Sequence, residues 1–129
     1  MKIHQTQTAS YPGLEYLPCS AGTEYKAGQA LVLTGGVATL ATGATAPTHI
    51  CFAAKTGKTD ETVQAIRVLK GEVFEAPLSV DGSALKIGDK VTIAADSIKV
   101  TATTSSGVAE IVGFCTEAKA AGDGVLVRF

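Results

Sequence analysis

Residues 26–54, KAGQALVLTGGVATLATGATAPTHICFAA, are followed about sixty positions later by a degraded copy over residues 86–116. Lys26, Gly28, Leu31 and Leu33 answer to Lys86, Gly88, Val91 and Ile93, and Ile50 with Phe52 answers to Ile111 with Phe114. Each copy runs on into an apolar, Arg-bearing segment, AIRVL at 65–69 and VLVRF at 125–129. A chain that repeats its order of events in this way is expected to fold as two similar halves closing on one another.

The first copy reads as a hairpin. Gly35-Gly36 tolerates the positive φ that primed two-residue turns require, and pairing outward from it sets Thr34 opposite Val37, Leu33 opposite Ala38 and Leu31 opposite Leu40. Leu31, Leu33, Ala38 and Leu40 then share one pleat face, the expected core face. Val32, Val37 and Thr39 lie on the other and are only weakly polar, which suggests subunit contact. In the second copy Val91, Ile93, Ile98 and Val100 line the core face, and the turn falls at Ala95-Asp96 or Asp96-Ser97. KAG and KIG read as one recurrent turn before a strand.

Further strands are expected over 49–54, 63–69 and 72–75, the last two as a hairpin around Lys70-Gly71, then over 109–116, with a bulge at Gly113, and 125–129. Residues 117–122 (EAKAAG) form the one candidate helical turn, with Gly122 as its C-cap. Short strands, Gly-rich turns and no long amphipathic helix indicate an all-β barrel or sandwich with internal duplication. Residues 1–20, polar and broken by Pro12 and Pro18, read as an extended N-terminal arm; residues 21–129 read as one β domain with halves at about 26–75 and 86–129. The arm is either a frayed terminus or a strand for a partner's sheet.

Composition limits function. A net charge of -1 with mixed signs offers no basic stripe, so no nucleic-acid partner is expected. No apolar run approaches the roughly 20 residues of a membrane span, and no leader-like apolar segment opens the chain. Three cysteines without metal-type spacing, Cys19, Cys51 and Cys115, predict free thiols, with Cys51 and Cys115 buried, and neither a metal nor a cofactor is expected. His49 and Cys51 project to one strand face and are the only catalytic pairing to consider, with no acidic residue near in sequence to orient the imidazole. Glu72 and Glu75 suit a solvated edge. The GKT of residues 57–59 lacks the full phosphate-loop pattern.

Taken together, AGQALVLTGGVATLATG, HICFAAKTG, VQAIRVLKGEVFE and the AGDGVLVRF ending resemble the head decoration, or capsid cement, proteins of tailed bacteriophages over most of residues 21–129. The chain departs from that pattern in having no tryptophan, and its KIGDKVTI segment is similar to cement proteins with GD before a strand. The resemblance implies a non-enzymatic virion protein, made in the host cytoplasm, that forms homotrimers on the outer capsid surface and clamps subunits of the major capsid protein. It implies docking through the arm, with Ile3, Gln5, Gln7 and Tyr11 as the candidate contacts. A second class is a β-domain binding module for a glycan or host surface, resting on Tyr11, Tyr16 and Tyr25.

Overall fold

The turn signal shared by the two copies builds the same object twice. In the computed structural model, which describes residues 1–5, 13–103 and 106–129, Gln29 N–H donates to Lys26 O (3.2 Å) and Asp89 N–H to Lys86 O (3.1 Å), with Gly28 and Gly88 at φ +86° and +94°. Positive φ at the third residue is the demand of a type II turn, and glycine meets it without a Cβ clash. The fourth side chain then caps the first amide: Gln29 Oε1 accepts from Lys26 N–H at 2.7 Å, and Asp89 Oδ2 from Lys86 N–H at 2.9 Å. Residues 69–72 (LKGE) and 120–123 (AAGD) repeat the device, with Glu72 and Asp123 as the capping acids. Gly122 therefore sits in a turn before a strand, and the helical turn expected over 117–122 does not form.

Strands follow these turns. They are β1 (Lys2–Gln5), β2 (Leu14–Pro18), β3 (Glu24–Tyr25), β4 (Ala30–Thr34), β5 (Val37–Leu40), β6 (His49–Cys51), β7 (Lys55–Thr56), β8 (Thr62–Arg67), β9 (Val73–Pro77), β10 (Lys90–Ile93), β11 (Val100–Ala102), β12 (Ala109–Phe114) and β13 (Gly124–Arg128). Among the described residues there is no helix. One sheet runs β2-β8-β6-β4-β5, a second β1-β9-β13-β12-β10-β11, and β3 pairs with β7. Read in chain order, β2, β4, β5, β6 and β8 of the first sheet correspond one for one to β9, β10, β11, β12 and β13 of the second. Among the described residues, strand β1 has no counterpart. In each sheet a parallel bridge, Cys19–Ala38 or Leu78–Val100, ties the residue after the first strand to the hairpin's second strand. The sheets roll without closing into barrels and stack as a sandwich-like all-β domain.

The β4–β5 register is the one expected from Gly35-Gly36. The second hairpin takes the register centred on Asp96-Ser97, with Ile93 opposite Val100. Asp96 Oδ1 accepts from Ile98 N–H and Lys99 N–H, both at 2.9 Å, and this cap lifts Ile98 off the core while burying Ser97. The bulge at Gly113 is present. The strands around Lys70-Gly71 are not a hairpin: β8 and β9 lie in different sheets, and the turn between them carries the chain across. Glu72, expected on a solvated edge, is buried there.

Each sheet has its own core. Leu17, Cys19, Tyr25, Leu31, Ala38, Cys51, Val63 and Ala65 pack together inside the first sheet. The second sheet's cluster, around Phe74, Leu78, Val91, Ile111, Val125 and Val127, also takes in Ala30, Ala41, Ile50 and Met1, with Val32 against it. Val32 thus packs, partly buried, between the sheets. Leu33, expected in the core, lies near the tip of its hairpin and is 41% exposed, whereas its second-copy counterpart Ile93 is buried in the second sheet's cluster.

Residues 1–20 are not a free arm over their described length. Lys2–Gln5 pair antiparallel with β9, and Leu14–Pro18 with β8. The Met1 α-amino group donates to Gly28 O, and the side chain is buried. A Cβ on Gly28 would meet Met1 N at 2.7 Å, but at Gly88 it would meet nothing within 4 Å.

Two outcomes test this architecture in urea unfolding. Leu31→Asp, which buries an unpaired charge, should abolish folding, whereas Leu33→Asp should shift stability by less than about 1 kcal/mol. Gly88→Ala should cost about 1–2 kcal/mol from left-handed strain alone, and Gly28→Ala distinctly more because it also displaces Met1.

Candidate functional site

The first sheet's outer face is covered over only part of its area. Antiparallel pairing sets side chains in rows across β2, β8 and β6, one row being Leu14, Ile66 and Ile50 and the next Tyr16, Gln64 and Phe52. Ile50 is 3% exposed, sealed by the second sheet's cluster, but the face runs on past that cover. Leu14 at 41%, Phe52 at 51% and Tyr16 at 61% exposure stand open on it. At the boundary a cleft of about 270 Å³ is lined by Met1, Gly28, Ile50, Phe52, Ile66 and Phe74 among others. Exposed aromatics on a rigid sheet, beside an apolar cleft, are the composition of a protein-binding patch.

Strand β2 also ends its sheet. Cys19 N–H donates to Glu61 O at 2.9 Å, which fixes the alternation along the β2–β8 ladder. Leu17 and Glu15 direct their backbone groups to β8, and Leu14 and Tyr16 direct theirs outward. The open face and the open edge thus meet at the same two residues.

The opposite face at this end of the sheet is charged. Glu15 accepts two hydrogen bonds from Arg67, Nε to Oε2 and Nη2 to Oε1, each 2.9 Å. Bonding to that guanidinium holds the Glu15 carboxyl below the usual carboxylate range. Fully buried His49 has Nδ1 2.9 Å from Thr48 Oγ1 and Nε2 3.5 Å from Glu15 Oε1. In the second sheet the places of Glu15, Arg67 and His49 are held by Phe74, Phe129 and Ala109, whose two rings meet edge-on at 5.8 Å. The two copies therefore diverge most sharply here, from an aromatic plug to an ion-paired network.

The structure places an acid beside His49 that sequence spacing did not reveal, but it does not join the imidazole to Cys51. The thiol donates to Ala53 O at 3.3 Å, and burial raises its pKa, away from the reactive thiolate. Among the described residues no three His, Cys, Asp or Glu side chains gather as metal ligands, and no helix is long and apolar enough to cross a membrane. Cys51 is buried as expected and Cys19 is buried beside it, whereas Cys115, expected to be buried, is exposed.

Of the arm residues singled out from sequence, Ile3 and Gln5 have backbones opposite Phe74 and Val73 of the same chain, and Gln7 and Tyr11 lie outside the described residues. The three tyrosines do not form one platform: Tyr25 is buried, its hydroxyl donating to Ala38 O at 2.6 Å and accepting from Ser20 N–H. Sequence reading did not bring Leu14 and Phe52 together with Tyr16 on one exposed face. The signal available was the similarity of LEYLP to VFEAP, each ending in proline, which carries the duplication upstream of residue 26 and marks β2 as a strand.

No family model matches this chain, and no curated protein matches it either.

The charged network yields a pH prediction. A carboxyl with a depressed folded pKa contributes stability above its unfolded pKa of about 4.3 and loses it as pH falls through the folded value. The urea midpoint of the native protein should therefore exceed that of Glu15→Gln at pH 7, and the two should converge below about pH 4. A constant gap across that range would contradict the assignment.

Proposed function

We propose that the chain is a structural virion protein that decorates and stabilises an expanded phage capsid by bridging subunits of the coat. The observation that carries this reading is the open apolar face of Leu14, Tyr16 and Phe52, which adjoins the unpaired edge of β2 within the first twenty residues, the segment that the sequence resemblance singles out for docking. Aromatic side chains held rigidly on a sheet lose little conformational freedom on binding and dominate interface energetics. A small contact of this kind suits a protein used in many copies, where each bound clamp raises the effective concentration of the next contact.

In this reading the protein is a homotrimer on the outer shell, with the coat protein as its partner and no chemistry of its own. The docking role moves from the first residues toward β2. Main-chain pairing of Ile3 and Gln5 with a coat strand would have to use the outward edge of β1 or draw β1 away from β9; Gln7 and Tyr11 remain candidate contacts.

A second reading draws on one feature, the row in which Tyr16 and Phe52 flank the Gln64 amide. Two apolar rings with a hydrogen-bonding group between them also suit a sugar, so a host glycan is the alternative ligand.

Deleting residues 1–20 is not a clean test, because it takes Leu17, Cys19 and Met1 from the cores. Co-sedimentation with expanded capsids of the encoding phage, stripped of this protein, is better done with Tyr16→Ser combined with Phe52→Ser, both exposed. The native protein should bind saturably and the double variant at least tenfold more weakly, about 1.4 kcal/mol or more. Native protein that fails to pellet with the capsids, while binding on a glycan array, would replace the capsid reading with the alternative.

A further inference from the structure

Among the described residues, the duplication leaves one sheet edge occupied and its twin without a strand. In the second sheet Leu78 N–H donates to Asp123 O at 2.9 Å, so by alternation Ala76 and Phe74 bond to β13, and Val73 and Glu75 direct their backbone groups outward. There β1 pairs with them, Lys2 opposite Glu75 and Gln5 opposite Val73. In the first sheet the corresponding outward residues are Tyr16 and Leu14, and among the described residues no strand lies against them. The two edges share their alternation, their terminal proline and the parallel bridge that follows.

From this we infer that the free edge of β2 is the acceptor site for an extended strand of a partner protein, which completes the first sheet as β1 completes the second. Exchange of β1 between copies cannot fill it. Each copy brings two equivalent edges and a single β1, so exchange leaves one empty edge per copy. The chemistry of the occupant follows from the neighbours. Its backbone bonds to Leu14 and Tyr16; its side chains opposite those two are apolar, to cover the exposed Leu14, Tyr16 and Phe52. Opposite Glu15, on the other face, it carries an uncharged hydrogen-bonding residue, because Arg67 already neutralises that carboxylate and a buried acid there would be repelled. Resting on the capsid reading above, the occupant is a segment of the coat protein.

Proline substitution separates edge from face. Tyr16→Pro and Leu14→Pro each remove an outward N–H that the isolated sheet does not use, and proline is tolerated on an edge strand in that orientation. Tyr16→Ala removes the ring and keeps the N–H. The probe is the stripped, expanded capsid, with thermal unfolding of each free variant measured in parallel. The inference expects variants that melt near the native temperature, with the proline variants binding capsids at least tenfold more weakly than Tyr16→Ala. Proline variants that fold and bind as well as Tyr16→Ala would overturn the edge while leaving the capsid reading intact. Failure of the native protein to bind would overturn both. Should Tyr16→Pro not fold, Leu14→Pro decides by the same comparison. Should neither fold, the outward assignment of those amides is itself wrong and the inference falls. Self-association of the free native protein that either proline abolishes would make a second copy the occupant and overturn the assignment to a partner protein.

Discussion

Two hydrogen bonds, made once in each copy, hold the rest of the structure in register. Gly28 N–H donates to Cys51 O and Cys51 N–H to Gln29 O, each at 2.8 Å; Gly88 N–H donates to Ile111 O and Ile111 N–H to Asp89 O at 2.8 and 2.9 Å. They join the type II turn to the strand that returns after the hairpin, across more than twenty residues of intervening chain. With that contact made, the alternation of side chains along β4 and β6, or β10 and β12, is fixed, because a slip of one residue would exchange the two faces. Glycine at the turn is therefore tied to the packing of both cores.

The same contact explains what could be read from sequence and what could not. The Gly35-Gly36 hairpin was legible because both its turn and its alternation are local. The equivalence of Ile50 with Ile111 was misjudged by one position: the turn contacts pair Cys51 with Ile111, which keeps the shift between copies constant and leaves Cys115, outside that equivalence, exposed. Leu33 looked like core because its face is right, yet burial at a hairpin tip depends on what packs over it, and Ile93 lies inside the second sheet's cluster whereas Leu33 stands open. Local signals cannot supply such long-range cover. The first twenty residues misled for the same reason, since an edge strand has its partner far away in the chain.

The two copies match closely in packing and differ at one end. Duplicated halves under the demand of folding alone would keep their packing, and most of the core does so: Leu31 with Val91, Tyr25 with Leu85, Val63 with Val125. At the end beside β2 the copies differ: the second has the Phe74–Phe129 contact where the first has the Glu15–Arg67–His49 group, and among the described residues the second sheet's edge carries a strand that the first lacks. An open apolar face next to open backbone groups is normally blunted in a stable monomer. Here it lies alongside charged groups on the reverse side that would limit indiscriminate pairing, and it is the surface that the proposed capsid contact would use.

The account stands on the claim that the two sheets carry equivalent edges of which one is filled. Amide hydrogen exchange of the free protein measures this residue by residue. The amides of Val73 and Glu75, facing β1, should be protected, and those of Leu14 and Tyr16 should exchange as freely as loop amides while those of Glu15 and Leu17, bonded to β8, stay protected. Equal protection of all four outward amides, or equal exposure of all four, would contradict the asymmetry on which the functional reading depends.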